Sequence, residues 1–441
     1  MIRRICLGIA LVMCLFTTLA QPASALDDDG TSGPAPKNLP TYTIDQAKLP
    51  FAALPGTTTT RKWGVLDGAG YHIEVPANWN GELVMYAHGF AGNGAELGVQ
   101  DPPMRPWLVA NGFAWAASSY SRNGYVVEQG ARDTLKLAKL FAKSHGKPTR
   151  RYLTGVSMGG HITSFSIEKN HGFYDGALPA CGVLGDRELF NYFQGFHLLA
   201  QAITGVTAAY PTPVDYPVKT LPGLVAALGG PTGAGYQQLA AATQQMTGGS
   251  RVGFGVAYAS WFDFLLTLGS GVAGDAAFPA NNTGAVYQLD GDPVLNAVET
   301  ALNAKVVQAR RLDFPTPDGV WSVPKVMGRF DIPVLTMHTV GDLFVPFSME
   351  QLYANKAEAE GSSDWLVQRA IRDVGHCSFA EAEWNRSMTD LVRWVREGKK
   401  PAGDSVFVGL NDPAYGCQFS DNSGLYKGTA ARAAYGPCPV P

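Results

Sequence analysis

Residues 155–160 read Gly-Val-Ser-Met-Gly-Gly, a GxSxG sequence whose centre, Ser157, has the chemistry of a nucleophile. A serine hydroxyl at its own pKa is a poor nucleophile, and it becomes an effective one when a histidine accepts its proton. Apolar residues such as Leu153 precede the motif, and a helical pattern at residues 162–169 follows it. With a strand before it and a helix after it, GxSxG holds the serine at the apex of a strained turn. The alternative is an ordinary Gly/Ser-rich helix cap, so we predict from the context that Ser157 is catalytic.

On this motif and its context the chain resembles the α/β-hydrolase superfamily of serine hydrolases, from about residue 64 to residue 398. In that superfamily a His-Gly pair follows an early strand, and here His88-Gly89-Phe90 follows the apolar residues 83–87. The resemblance implies that the backbone N–H groups of Phe90 and Met158 form the oxyanion hole. We interpret the side chain of His88 as structural, since it would shape this loop.

The resemblance also implies an acid and then a base, each on a loop at the carboxyl end of a strand. Asp342 lies just past a predicted strand at residues 332–337, and His376 follows a strand that ends near residue 371. The histidine would take the serine's proton and pass it to the leaving group, while the carboxylate orients the imidazole. Asp331 precedes its strand and would lie at the wrong end of the sheet, and Asp373 is expected to be a loop residue. The predicted triad is therefore Ser157, Asp342 and His376.

The long insertion after the serine, together with His376-Cys377, is similar to the secreted tannase and feruloyl-esterase group. That group places a cysteine immediately before the serine and bonds it to the cysteine after the histidine. In this chain Val156 occupies the first of these positions, so the likeness is partial and implies no particular substrate.

The elements that must position these residues alternate between short apolar runs and helical segments, which indicates βαβ units and a mostly parallel sheet. Predicted strands cover residues 83–87, 113–118, 177–181, 332–337 and 365–371, and predicted helices cover 127–143, 162–169, 188–203, 293–306 and a last segment around 384–395. The predicted fold class is α/β, an α/β-hydrolase fold with a mostly parallel sheet flanked by helices and a large, mainly helical insertion. We divide the chain into a signal peptide at 1–25, an N-terminal leader at 26–55, a core at 56–185 and 330–400, a lid or cap at 186–329 and a disulfide-closed tail at 401–441.

The N-terminus has the pattern of an export signal, with Arg3 and Arg4 before an apolar run at residues 5–19 and Ala-Ser-Ala at 23–25. The alternative is a membrane anchor, but the run is shorter than the ~20 residues that a membrane span requires. We therefore predict cleavage near Ala25 and an extracellular or periplasmic location.

The composition excludes several classes of protein. A chain of 441 residues that is 46% hydrophobic can bury a large core, which excludes a mainly disordered or collagen-like protein. Lys and Arg number 34 against 37 Asp and Glu, a net charge of −3 with no basic stripe, so no nucleic-acid partner is expected. We expect no stable membrane insertion, and a small-molecule or polymeric ester as the substrate. The sequence does not predict the oligomeric state.

Four cysteines remain after the signal peptide: Cys181, Cys377, Cys417 and Cys438. They permit three pairings, among which a sequence cannot choose rigorously. We favour Cys417–Cys438, which closes a glycine-rich C-terminal loop, and by elimination Cys181–Cys377. The alternative for Cys181 is a small buried hydrophobic residue.

The remaining candidates are interpreted as structural. His161 is expected to pack beside the serine motif, and His338 could line the site, although core packing is favoured. The sequence Asp-Gly-Asp-Pro at 290–293 could suggest calcium, but Asp292 is more simply a helix N-cap with Pro293 in the first helical position. We therefore predict no metal and no cofactor.

The insertion is rich in aromatic residues, and we expect them to cover the serine with an apolar surface. They are Phe190, Tyr192, Phe193, Phe196, Tyr258, Trp261, Phe262 and Phe264, and most of them must form the core of the insertion itself. The sequence thus predicts a secreted hydrolase of apolar or aromatic carboxylic esters that works through an acyl-enzyme. The alternatives are a serine peptidase or amidase with the same triad, and a binding protein of the same fold without catalysis.

Overall fold

The structure, a computed structural model, describes residues 40–206, 211–274, 280–309 and 320–421, together with residues 432, 435 and 438. The predicted signal peptide and residues 26–39 of the leader lie outside the described residues, as does most of the tail after residue 421. In the described ranges, no helix combines the length and the apolar character needed to cross a bilayer.

The strands are short apolar segments, as their patterns predict. In chain order they are β1 Thr59–Leu66, β2 Ala69–Pro76, β3 Glu82–Ala87, β4 Ala114–Ser118, β5 Tyr125–Val126, β6 Arg150–Val156, β7 Gly176–Ala180, β8 Val320–Ser322, β9 Val334–Thr339 and β10 Leu366–Ile371. Eight of them form one sheet in the order β1-β2-β4-β3-β6-β7-β9-β10, and β5 pairs with β8 separately. β2 is antiparallel to both of its neighbours, and the pairings from β4 to β10 are parallel. This order and polarity define the α/β-hydrolase fold, so the predicted fold class is confirmed.

The helices cover both faces of the sheet and form the cap. They are α1 Arg105–Ala110, α2 Val127–His145, α3 Met158–Lys169, α4 Glu188–Thr204, α5 Tyr216–Lys219, α6 Leu221–Leu228, α7 Ala234–Met246, α8 Phe254–Gly274, α9 Ala297–Asn303, α10 Ser348–Ala359 and α11 Glu381–Glu397. Single 3₁₀ turns lie at Gln46–Lys48 and Ser363–Trp365.

The sheet separates two hydrophobic cores, because successive side chains of a strand point to opposite faces. In β3, Leu83 and Met85 belong to the core that contains α2 and α3, whereas Val84 and Tyr86 belong to the core that contains α1 and α11. Burial on both faces explains why the central strands are continuous apolar runs without a polar alternation.

The cap consists of α4 to α9, between β7 and β8, and it packs mainly around α4. One sequence prediction is wrong here, because α9 begins at Ala297 and Asp292 is not its N-cap. Instead Asn296 accepts hydrogen bonds from the N–H groups of Val298 and Glu299, and the Glu299 carboxylate accepts one from Asn296 N–H at 2.9 Å. This reciprocal capping box satisfies two free donors at once, which a lone Asp292 cannot do.

Candidate active site

Ser157 occupies the turn between β6 and α3, and its backbone is strained, with φ 57° and ψ −122°. Gly155 and Gly159 are required because neighbouring backbone carbonyl groups leave no room for a Cβ atom at either position. A Cβ on Gly155 would lie 2.3 Å from the carbonyl oxygen of Gly159, and one on Gly159 would lie 2.0 Å from that of Ala87. The turn therefore depends on these glycines, and it projects the serine side chain beyond the carboxyl ends of β3 and β6.

The structure brings Ser157, His376 and Asp342 together from three separate loops. Nε2 of His376 lies 2.8 Å from the Ser157 hydroxyl oxygen, and its Nδ1 lies 2.6 Å from Oδ2 of Asp342. Because a carboxylate only accepts, Nδ1–H donates to Asp342, and Nε2 is then free to accept the serine proton. Ser157 and His376 are half-buried and Asp342 is fully buried.

Asp342 is held in place by its own loop. The backbone N–H groups of Phe344 and Val345 donate to Oδ1 at 2.9 and 3.0 Å, which leaves Oδ2 for His376. The rival acids are placed elsewhere. Asp331 is exposed before β9, and Asp373 bonds to the side chains of Ser378 and Arg432.

The two segments predicted to supply the oxyanion hole meet beside the serine. Gly89 lies so close that a Cβ on it would be 3.2 Å from Cβ of Ser157. Phe90 follows directly and is 48% exposed, whereas Met158 is the first residue of α3, where backbone N–H groups lack helical acceptors. The oxyanion role of Phe90 and Met158 remains a prediction that this arrangement permits.

His88 is buried beneath that loop. Its ring stacks on Tyr120 with 4.1 Å between centroids, and Tyr120 donates its hydroxyl proton to the carbonyl oxygen of His88 at 3.0 Å. Burial lowers the pKa of His88, which favours the neutral ring, and Nδ1 donates to the carbonyl oxygen of Gly89 at 2.6 Å. This setting agrees with a role in shaping the loop.

A disulfide joins Cys181 to Cys377, and a second joins Cys417 to Cys438. Cys181 directly follows β7, and its N–H donates to the carbonyl oxygen of Met337 in β9 at 2.7 Å. Cys377 directly follows His376, so the first disulfide fastens the histidine loop to the sheet next to the serine turn. Among the described residues, Cys181, His376 and Cys377 form a group with metal-ligand spacing, but both sulfurs are bonded to each other and offer no thiolate.

His338 lies in the core under the acid loop, the segment that bears Asp342 and Phe344, as the favoured sequence interpretation states. Its Nε2 donates to the carbonyl oxygen of Val345 at 2.8 Å, and its Nδ1 lies 3.3 Å from Oε1 of Glu350. Burial opposes the charged form of His338, but the hydrogen bond and charge of Glu350 outweigh it and raise the pKa. Nε2 is 3.9 Å from Oδ2 of Asp342, so this ring also lies beside the predicted triad acid.

Four aromatic side chains, which we call the aromatic wall, form a cluster that contacts His376 through Phe344. They are Phe193, Trp261 and Phe264 from the cap and Phe344 from the loop of Asp342. Phe344 packs edge-to-face on the His376 ring with centroids 5.0 Å apart, and Phe193 and Phe264 lie 5.8 and 5.1 Å from Phe344. Trp261 lies 5.3 Å from Phe264 and donates its indole N–H to the carbonyl oxygen of Val374. The sequence indicated the cap aromatics but missed Phe344, although its position two residues after Asp342 is a usable signal.

The C-terminal tail also contacts the site, which the sequence did not indicate. Arg432 donates to the buried carboxylates of Asp373 and Glu383 and to the carbonyl oxygen of Ser378. Tyr435 fits against Gly341, where a Cβ would lie 2.4 Å from the tyrosine oxygen. The tail therefore supports both the histidine loop and the acid loop.

The fold is that of the α/β-hydrolases, and the site has the serine, histidine and aspartate in series that a hydrolase of the esterase, peptidase or amidase type uses. No family model matches the chain. The o-phthalyl amidase of Xanthobacter agilis is 20% identical over an alignment of length 405, and the match covers 76% of this chain and 87% of that protein.

The chain is also similar to several solved structures. Feruloyl esterase B from Aspergillus oryzae is 15% identical, with a TM-score of 0.42 and coverage of 82% of this chain and 86% of that chain. An esterase of Pyrococcus furiosus is 10% identical, with a TM-score of 0.39 and coverage of 82% and 98%. The proline iminopeptidase of Mycobacterium smegmatis is 11% identical, with a TM-score of 0.38 and coverage of 77% and 98%.

Proposed function

We propose that the protein is a secreted serine hydrolase that cleaves carboxylic esters of apolar or aromatic substrates through an acyl-enzyme. The observation that carries this proposal is the continuous chain of hydrogen bonds from Ser157 through His376 to Asp342, at 2.8 and 2.6 Å. Neither a packing role nor a binding role requires a strained serine that faces an oriented imidazole.

The reaction follows from these contacts. Ser157 attacks the ester carbonyl while Nε2 of His376 takes its proton, and the negative charge that develops on the carbonyl oxygen is bound by the N–H groups of Phe90 and Met158. Asp342 stabilises the imidazolium, which then protonates the departing alkoxide as the carbon–oxygen bond breaks. A water molecule, deprotonated by His376, attacks the acyl-enzyme and releases the acid and free Ser157.

Export is part of the proposal. It is supported by the signal-peptide pattern predicted at residues 1–25 and by two disulfides, which persist in oxidising compartments and are rare in the cytosol. Mass spectrometry of the mature N-terminus after expression in a secreting host tests it, and we expect cleavage near Ala25.

Amide cleavage is the second candidate, because a protein that is 20% identical to this chain is named an o-phthalyl amidase. Esters and amides use the same triad and differ mainly in how well the leaving amine is protonated. Kinetics on a matched pair, an ester and an amide with the same acyl group, distinguish the two. We expect kcat/KM to be higher for the ester.

Labelling with a fluorophosphonate tests whether the site is catalytic at all. The wild-type protein should be labelled at Ser157, and Ser157→Ala should not be labelled while retaining its far-UV circular dichroism. If the folded wild-type protein were not labelled, the chain would be a binding protein with a hydrolase fold.

A further inference from the structure

The aromatic wall contacts the predicted base of the triad. Its member Phe344 packs edge-to-face on the imidazole of His376, with ring centroids 5.0 Å apart, whereas the predicted oxyanion segment at Gly89 lies against Ser157. The wall is therefore in contact with the ring that exchanges protons during the reaction.

Ester cleavage brings the leaving group close to the same imidazole. When the tetrahedral intermediate breaks, Nε2–H of His376 donates its proton to the alkoxide oxygen, and the bond between this oxygen and the carbonyl carbon breaks. The acyl group stays on Ser157, so the departing oxygen must be within hydrogen-bond reach of Nε2. The substituent on that oxygen is thus held close to the imidazole on which Phe344 packs.

The wall offers accessible aromatic surface in a fixed position. Phe264 is 41% exposed and Phe344 is half-buried, so part of each side chain is accessible to solvent. Phe344 is fixed because its N–H donates to Asp342, and Trp261 is fixed by its bond to Val374. A preformed aromatic surface binds a flat apolar group with little loss of conformational entropy.

Resting on the proposed function, we propose that the aromatic wall is the leaving-group subsite, and that the preferred esters are those of aromatic alcohols. Specificity would then be set more by the alcohol than by the acid, with Phe344 and Phe264 as the determining residues.

Two short ester series of similar intrinsic reactivity test this assignment. The first keeps the acyl group constant and compares benzyl acetate with cyclohexylmethyl and ethyl acetate. The second keeps the alcohol constant and compares ethyl phenylacetate with ethyl hexanoate and ethyl acetate. We expect kcat/KM for benzyl acetate to exceed that for ethyl acetate on the order of tenfold or more, with a smaller spread in the second series.

Variants locate the preference. Phe344→Leu and Phe264→Ala should each reduce the benzyl-to-ethyl ratio several-fold, and Phe264→Ala removes a side chain that is already 41% exposed, so folding should be preserved. Trp365→Ala is the matched control, since Trp365 is 39% exposed but lies before β10, at the opposite end of the sheet. It should leave the ratio unchanged.

The outcomes separate this inference from the function on which it rests. The leaving-group assignment alone is overturned if the enzyme is labelled and active but its benzyl-to-ethyl ratio is near one. It is also overturned if neither Phe344→Leu nor Phe264→Ala changes that ratio. A stronger preference in the acyl series than in the alcohol series also overturns it. Absence of fluorophosphonate labelling at Ser157 overturns the proposed function itself.

Discussion

The indole N–H of Trp261, in the cap helix α8, donates to the carbonyl oxygen of Val374, two residues before His376, over a distance of 2.7 Å. A second bond of this kind runs from the hydroxyl of Tyr192 in α4 to the carbonyl oxygen of Leu343, one residue after Asp342, at 3.0 Å. Each of the two loops that carry the predicted acid and base is thus hydrogen-bonded to the cap.

Trp261→Phe keeps an aromatic ring but removes the donor, so the carbonyl group of Val374 loses its partner. We expect a loss of about 1 kcal/mol in the free energy of unfolding and a several-fold lower kcat, because His376 is held less firmly. Steady-state kinetics and urea unfolding measure both. Trp79→Phe is the control, because it removes a similar bond, to the carbonyl oxygen of Glu82 at 2.8 Å, far from His376. It should change stability without changing kcat.

Asp342→Asn should lower kcat by about 10⁴-fold, since an amide in that position favours the wrong imidazole tautomer. The fold should persist, because the amide oxygen can still accept from the N–H groups of Phe344 and Val345. Asp331→Asn is the control at an exposed aspartate that was the rival candidate for the acid. Equal activity of the two variants in an esterase assay would exclude Asp342 from the triad.

The Cys181–Cys377 disulfide closes a sequence separation of 196 residues and fastens the loop of His376. Replacing both cysteines by alanine should lower the free energy of unfolding by about 2–5 kcal/mol and lower kcat more than it raises KM. The double replacement of Cys417 and Cys438, whose separation is 21 residues, should affect kcat less. Thermal unfolding and kinetics on both double variants make the comparison.

Gly159→Ala should prevent correct folding or destabilise the protein by more than about 3 kcal/mol, because the added Cβ would lie 2.0 Å from the carbonyl oxygen of Ala87. Gly98→Ala is the matched control. Gly98 has open space around it, and a methyl group there should change the free energy of unfolding by less than about 0.5 kcal/mol. Circular dichroism and denaturant titration report the difference.

His161 should make the fold sensitive to acid. Its Nε2 donates to the carbonyl oxygen of Pro324 and its Nδ1 accepts from Tyr125, and burial lowers its pKa from 6.5 to about 4. As the pH falls, His161 binds a proton in the unfolded chain at a higher pH than it does in the folded protein. The folded state therefore keeps its full stability above pH 6.5 and loses roughly 3 kcal/mol of the free energy of unfolding as the pH falls to 4. His161→Gln should flatten the dependence of Tm on pH in this range. His171→Gln, at an exposed histidine, should leave it unchanged.

Sequence patterns predicted those structural features that are determined by residues close together in the chain. The serine turn depends on glycines within a few residues of Ser157, and the loops of Asp342 and His376 follow apolar strands that are evident in the sequence. The start of α9 was predicted wrongly because two capping residues, Asp292 and Asn296, lie four residues apart and only packing and reciprocal bonding decide between them.

Contacts between distant segments could not be predicted in this way. Trp261 and Val374 are 113 residues apart, and the partners of Arg432 lie 49 and 59 residues before it. A guanidinium matches many carboxylates equally well, and the one it meets is determined by how the completed sheet brings the loops together. The sequence therefore predicted the reacting groups better than the residues that hold them.

Arg432 supports the loop that carries His376, although it lies more than 50 residues after that histidine in the sequence. A protein shortened after α11 would retain each strand of the sheet and the hydroxyl, imidazole and carboxylate groups, and would look complete in an alignment of motifs. It would nevertheless leave the carboxylates of Asp373 and Glu383 buried without their shared cation, on either side of the histidine. The support of the predicted histidine loop thus depends on a distant segment that contributes none of the three predicted catalytic groups.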